Sequence, residues 1–128
     1  MQFLMLMIPA GYGEAKPNFQ PDPKKVAAMA EYNQALTEAG VLLALNGLHP
    51  PSEGARVSFA GGKAKVTDGP FPETKEVVGG YWIIQVNSRA EAIEWASRCP
   101  GSDNDTIEVR RIFEMEDYSP EVREAAGH

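Results

Sequence analysis

Cysteine is almost absent from this 128-residue chain: Cys99 stands alone. That excludes an intramolecular disulfide and thiolate metal clusters, and it suits a reducing compartment. Cys99 falls at a helix end, where a small buried hydrophobe and a reactive thiol are the two readings. Histidine is scarce as well, only His49 and the terminal His128, so no zinc or other metal site is expected. Basic residues are in the minority, 12 against 18 acidic ones, for a net charge of −6. A surface of that sign repels phosphate backbones and anionic lipid, which sets aside nucleic acid and membrane as partners. The opening apolar run, Phe3 to Ile8, is six residues long with no basic residue before it. It reads as a strand rather than a signal peptide or a membrane span, and the expected location is cytoplasmic. There is no nucleophile elbow, phosphate-cradling glycine loop or dinucleotide fingerprint, and no cofactor is expected.

What is present is ordinary for one globular domain: 43% apolar and 23% charged residues. After the first strand comes a Gly- and Pro-rich loop, Pro9 to Gln20. Asp22-Pro23 then supplies an N-cap and a first-turn proline. Val26, Met29, Asn33 and Leu36 recur at helical spacing, and Gly40 closes that helix. Val41 to Leu45 is a second apolar strand. Arg56 to Val66 alternates around Gly61-Gly62, a two-residue hairpin. Pairing Ala60 with Lys63, Phe59 with Ala64 and Val57 with Val66 puts the apolar set on one face. Tyr81 to Val86 is another strand. Ser88-Arg89-Ala90-Glu91 opens a second helix with the stripe Ala92, Trp95, Ala96 and Cys99. A last strand runs from Thr106 to Met115. Residues 1–115 form the domain, and 116–128 an acidic tail, either a ragged helix or disordered.

The order β-α-β, hairpin, β-α-β specifies an α+β fold, the ferredoxin-like βαββαβ arrangement with an inserted β-hairpin. Two helices cover one face of such a sheet. Phe3 to Ile8, Val41 to Leu45 and Tyr81 to Ile84 are apolar on both faces, however, and strands of that kind expect cover on both. A second copy, sheet against sheet, provides it, so the chain is expected to be a homodimer.

The densest cluster of unusual residues is Val66-Thr67-Asp68-Gly69-Pro70-Phe71, with Glu73-Thr74-Lys75-Glu76 and Gly79-Gly80-Tyr81-Trp82 after it. Together with Gly47-Leu48-His49-Pro50, Glu91-Ala92-Ile93-Glu94-Trp95-Ala96 and Ile107-Glu108-Val109-Arg110, these pieces resemble the YCII-related family, in the branch named for its Asp-Gly-Pro-Phe motif. The resemblance implies a dimeric α/β barrel. Some relatives are attached to, or encoded beside, extracytoplasmic-function sigma factors. Others in the wider group look like enzymes relying on a first-helix histidine paired with an aspartate. The matching position here falls at or near Met29, and no histidine lies between Pro21 and Gly40, so this chain departs from that pattern.

Several side chains are candidates for a site. Asp68 either braces the turn, accepting hydrogen bonds from backbone N–H groups two residues on, or is a carboxylate at a pocket mouth acting as base or ligand-binder. Gly69 relaxes that turn and Pro70 stiffens it. Phe71 either plugs the core beneath the turn or lines a pocket. Glu73 and Lys75 are either a solvated charge run or a partly desolvated pair. Asn33, on the apolar stripe beside Tyr32, needs a partner, which local backbone or a ligand can supply. His49 is either structural or a general acid/base. Arg110 shares a strand face with Glu108 and points into the inter-sheet layer of a dimer, paired with a carboxylate or gripping an anionic ligand. Two functions compete. One is a dimer binding a small anionic or polar ligand between sheet and helices, near Asp68, Lys75, Arg110 and Tyr32; whether it is an enzyme stays open. The other is a noncatalytic regulatory module of sigma-factor signalling, docking through the Lys63 and Lys65 hairpin tip and the acidic tail.

Overall fold

The computed structural model describes residues 1–71 and 76–127. The expectations for Glu73 and Lys75 therefore lie outside the described residues. Among the described residues, six strands and three α-helices are formed: β1 (Gln2–Ile8), α1 (Pro23–Glu38), β2 (Leu42–Gly47), β3 (Ala55–Ala60), β4 (Lys63–Asp68), β5 (Gly80–Gln85), α2 (Arg89–Ser97), β6 (Thr106–Arg111) and α3 (Pro120–Ala125). Four strands make one antiparallel sheet in the order β2-β5-β1-β6, and β3 and β4 pair separately. This is the expected α+β, ferredoxin-like order with an inserted hairpin. The main sheet is open in the single chain, not a closed barrel.

Local chemistry sets the element ends. Asp22 accepts a hydrogen bond from the Lys24 N–H at 2.9 Å, and Pro23 occupies the first turn, where a missing N–H costs nothing. Gly40, at φ +72°, takes the left-handed position after α1 that a Cβ would disfavour. At α2 the Ser88 hydroxyl accepts from the Glu91 N–H, while the Glu91 carboxylate accepts from the Asn87 N–H at 3.0 Å.

Alternation along the strands sorts side chains onto two faces. Phe3 and Met5 on β1, Trp82 and Ile84 on β5, and Ile107 and Val109 on β6 meet Leu36 and Tyr32 of α1 and Ala92 and Trp95 of α2. Met5, Leu36 and Ile84 are fully buried, and each such side chain stabilises the fold by about 1.5–3 kcal/mol. The other face presents Leu4, Leu6 and Ile8 on β1 beside Tyr81 and Ile83 on β5, with α1 and α2 packed only on the first face.

Two expectations are corrected, the end of the last strand and the place of Val26. The last strand stops at Arg111 rather than Met115. Glu114 turns back so that its carboxylate accepts the Gln2 N–H at 3.0 Å, and a 3-10 turn over Met115–Asp117 follows. Of the two readings of the tail the structure has the short helix, α3 over Pro120–Ala125, which Ser119 caps by accepting from the Val122 N–H. Val26, expected in the α1 stripe, is 49% exposed, because it stands beside a cleft rather than over the sheet. The hairpin keeps the expected register: Ala60 faces Lys63, Phe59 faces Ala64 and Val57 faces Val66. Gly61 and Gly62, at φ +57° and +77°, supply the positive φ values that its two-residue turn demands.

Candidate functional site

The loop from Pro9 to Gln20 carries few apolar side chains and is held by discrete hydrogen bonds. The Ala10 N–H donates to Asp105 Oδ1 at 2.9 Å, the Tyr12 hydroxyl donates to the Leu48 carbonyl, and the Ser52 hydroxyl donates to the Ala15 carbonyl at 3.2 Å. On its other side the Gly79 N–H donates to the Met7 carbonyl at 2.7 Å. A Cβ on Gly79 would sit 2.7 Å from Pro9 Cγ, so a glycine there is needed for the close approach.

Fastened this way, the loop stands off the amino-terminal half of α1 and leaves a cleft of about 910 Å³. Its walls include Met7, Pro9, Phe19, Val26, Met29 and Leu48. Tyr12, Lys25, His49 and Asp105 supply polar groups along the lining. A few polar groups on apolar walls is the usual composition of a small-molecule site. A smaller groove of about 540 Å³ lies between α2 and β6, and it shares Met7, Ser102 and Asp105 with the first.

The polar groups of the cleft are not equally free. Asp105 is occupied twice, since its second oxygen accepts from the Ser102 N–H at 2.8 Å. The Tyr12 hydroxyl is spent on Leu48, and burial raises its pKa. His49 Nδ1 lies 3.3 Å from a carboxylate oxygen of Glu53, a largely exposed pair held by the 3-10 turn over Pro51–Glu53. Among the described residues, no carboxylate lies within ion-pair distance of Lys25, because the only close pairs involve other cations. Cys99, at the edge of the smaller groove, has its pKa raised to about 11, first by burial and then by the Asp105 carboxylate. Its thiol faces Met29 Sδ at 3.9 Å, which fits the small-hydrophobe reading over the reactive one.

Of the described residues expected at a site, only His49 lines this cleft. Tyr32 is buried in the core, and its hydroxyl donates to the Trp95 carbonyl at 2.7 Å. Asn33 is partnered neither by local backbone nor toward a cavity, because its Oδ1 accepts from the Trp82 indole N–H at 2.8 Å. Arg110 lies on the sheet face away from the helices, 71% exposed and 3.9 Å from Glu108. Tyr32 and Arg110 thus stand on opposite faces and cannot share one pocket. Asp68 ends β4 exposed, and no hydrogen bond to its carboxylate is formed among the described residues. The expected brace fails for a simple reason: the residue two positions on is Pro70, which has no N–H. Phe71 does not plug the core; it is half-buried with the Arg56 guanidinium 4.1 Å above its ring.

The motif therefore builds the base of the hairpin. Gly69 donates its N–H to the Gly54 carbonyl at 2.8 Å, and a Cβ there would fall 1.7 Å from the Pro51 carbonyl oxygen. Lys25 and Tyr12 gave no signal in the sequence, because a lysine in a first turn and a tyrosine in a loop are common and solvent is their usual neighbour.

Comparison with known proteins agrees with the fold. An uncharacterised protein of Rhizobium meliloti (strain 1021) is 31% identical over 95 residues, which span 73% of this chain and 77% of that protein. The YCII-related domain matches residues 1–116, taking in the whole four-stranded sheet and both of its helices. The chain belongs to the YCII-related family.

Proposed function

We propose that this chain is a homodimeric small-molecule-binding protein whose ligand occupies the cleft beside the amino-terminal half of α1. The observation that carries this reading is the cleft itself: about 910 Å³, walled by apolar side chains and pinned open by side-chain hydrogen bonds. Lys25 and His49 are among its polar groups without a buried structural duty, and Lys25 is a cation of its lining. A ligand with an apolar body and one anionic group matches them, its charge meeting Lys25. His49, oriented by Glu53, is the side chain best placed to exchange a proton there, but the reading claims binding and no reaction.

The dimer rests on the uncovered sheet face. Leu4, Leu6, Ile8 and Ile83 form a contiguous apolar surface, and a second copy would cover it. Arg110 and Glu108 would flank that layer rather than the ligand. The regulatory alternative, docking through the tip lysines in sigma-factor signalling, draws support only from the exposure of the hairpin.

Thermal shift against a library of small carboxylic acids, with light scattering for mass, tests the reading. A ligand at a hundred times its Kd should stabilise the parent by about 2.7 kcal/mol. Lys25→Ala should weaken that gain and Val26→Trp, which fills the cleft, should abolish it. Stabilisation that survives Val26→Trp would move the ligand elsewhere, and a monomer at micromolar concentration would remove the dimer.

A further inference from the structure

The β3–β4 hairpin forms a sheet of its own and leaves an apolar face uncovered. Val57, Phe59 and Val66 share that face with Ala55 and Ala64, and with Asp68 at its base, and are 53%, 78% and 65% exposed. A lone two-stranded hairpin is marginal in water, and a patch of this kind on a protruding element calls for an occupant.

Charge narrows the choice. Residues 55–68 carry Arg56, Lys63 and Lys65 against Asp68 alone, a net charge of +2. The whole chain is at −6, so the remainder carries −8. A basic arm on an acidic body is drawn toward another such body, and a second copy of this chain is always at hand.

Area points the same way. Four strands about 4.8 Å apart and six residues long cover a footprint of roughly 400 Å². A standard interface removes about 800 Å² from each partner. The open sheet face falls short of that, and a two-stranded arm about 20 Å long adds the kind of surface that is missing.

We propose that the hairpin is an arm that docks its Val57–Phe59–Val66 face onto a second copy of this chain. The proposal rests on the homodimer reading and adds an element to it. Sedimentation velocity over a dilution series, on the parent and on Phe59→Asp/Val66→Thr, tests both. The dimer Kd should rise at least about tenfold in the variant, with the far-ultraviolet circular dichroism of the sheet retained. Lys63→Glu/Lys65→Glu should slow association, most at low salt. A parent dimer with an equal Kd in the apolar variant overturns the arm and leaves the dimer standing. A monomeric parent overturns both. Hydrogen exchange on the unaltered chain gives an answer that needs no variant. Amides between 56 and 67 should be better protected above the dimer Kd than below it, and equal protection at the two concentrations overturns the arm.

Discussion

Gly69→Ala is the most telling substitution, because the glycine is required by the packing of the hairpin base. The sequence reads Gly69 as the residue that relaxes the turn, yet Gly69 is not among the residues with positive φ. The obstacle is space. A Cβ would lie 1.7 Å from the Pro51 carbonyl oxygen and 2.7 Å from its carbon, both backbone atoms that cannot swing aside. Relief requires moving the base of β4 away from the turn over Pro51–Glu53 by more than an ångström, which strains the Gly69 N–H bond to Gly54, now 2.8 Å. Overpacking of this kind costs about 1–3 kcal/mol. A weakened backbone hydrogen bond adds about 0.5–1.5 kcal/mol. The expected loss is therefore about 2–4 kcal/mol, and at roughly 4 °C per kcal/mol for a domain of this size Tm should fall by about 8–16 °C. Differential scanning calorimetry reads it directly. Gly40→Ala is the comparison, since its Cβ would meet nothing within 4 Å and only its φ of +72° is at stake. That variant should lose about 1–2 kcal/mol. A Gly69→Ala protein melting with the parent would show that the hairpin base is not packed against Pro51, and the reading of the motif would fail.

Other outcomes are expected from the core. Tyr32→Phe deletes the buried bond to the Trp95 carbonyl and should cost about 1–2 kcal/mol by urea titration. Trp82→Phe strands the Asn33 carbonyl oxygen and empties part of the core, for about 1–3 kcal/mol, with Asn33→Leu in the same background restoring part of the loss. The thiol of Cys99 is raised from 9.0 to about 11 in the folded chain, so the unfolded chain releases that proton first. Its contribution is whole below pH 9 and is lost as pH climbs through 11; Cys99→Ala should flatten the decline of Tm across that window. Alkylation of Cys99 in the folded protein at pH 8 should be far slower than in urea, and equal rates would contradict its burial.

Patterns confined to neighbouring residues were legible. The caps at Asp22 and Ser88, the close of α1 at Gly40 and the register of the hairpin all follow from residues within a few positions of each other. Apolar runs at Phe3–Ile8 and Tyr81–Ile84 were enough to mark the central strands and the face that α1 and α2 leave bare. What escaped depends on partners far along the chain. Asn33 and Trp82 are 49 residues apart, and nothing local announces that an indole N–H will reach an amide on the helix above it. Asp-Gly-Pro is a recognisable turn, which singles out Asp68, but the turn serves the base of the hairpin. The cleft was invisible because its walls come from a loop with no period, and its shape is fixed by Asp105, Leu48 and Ser52, each contributed by a different part of the chain.

The three fastenings of the Pro9–Gln20 loop fall at Ala10, Tyr12 and Ala15, so its first half is divided into spans of two or three residues. Freezing a free backbone costs about 1–2 kcal/mol for every residue fixed. In this chain that entropy is spent during folding, by bonds that exist before any ligand arrives. A molecule entering the cleft would meet the Ala10–Ala15 part of its wall already in place and owe nothing for ordering it, so its encounter would be governed there by diffusion and orientation rather than by the rate at which a lid comes to rest.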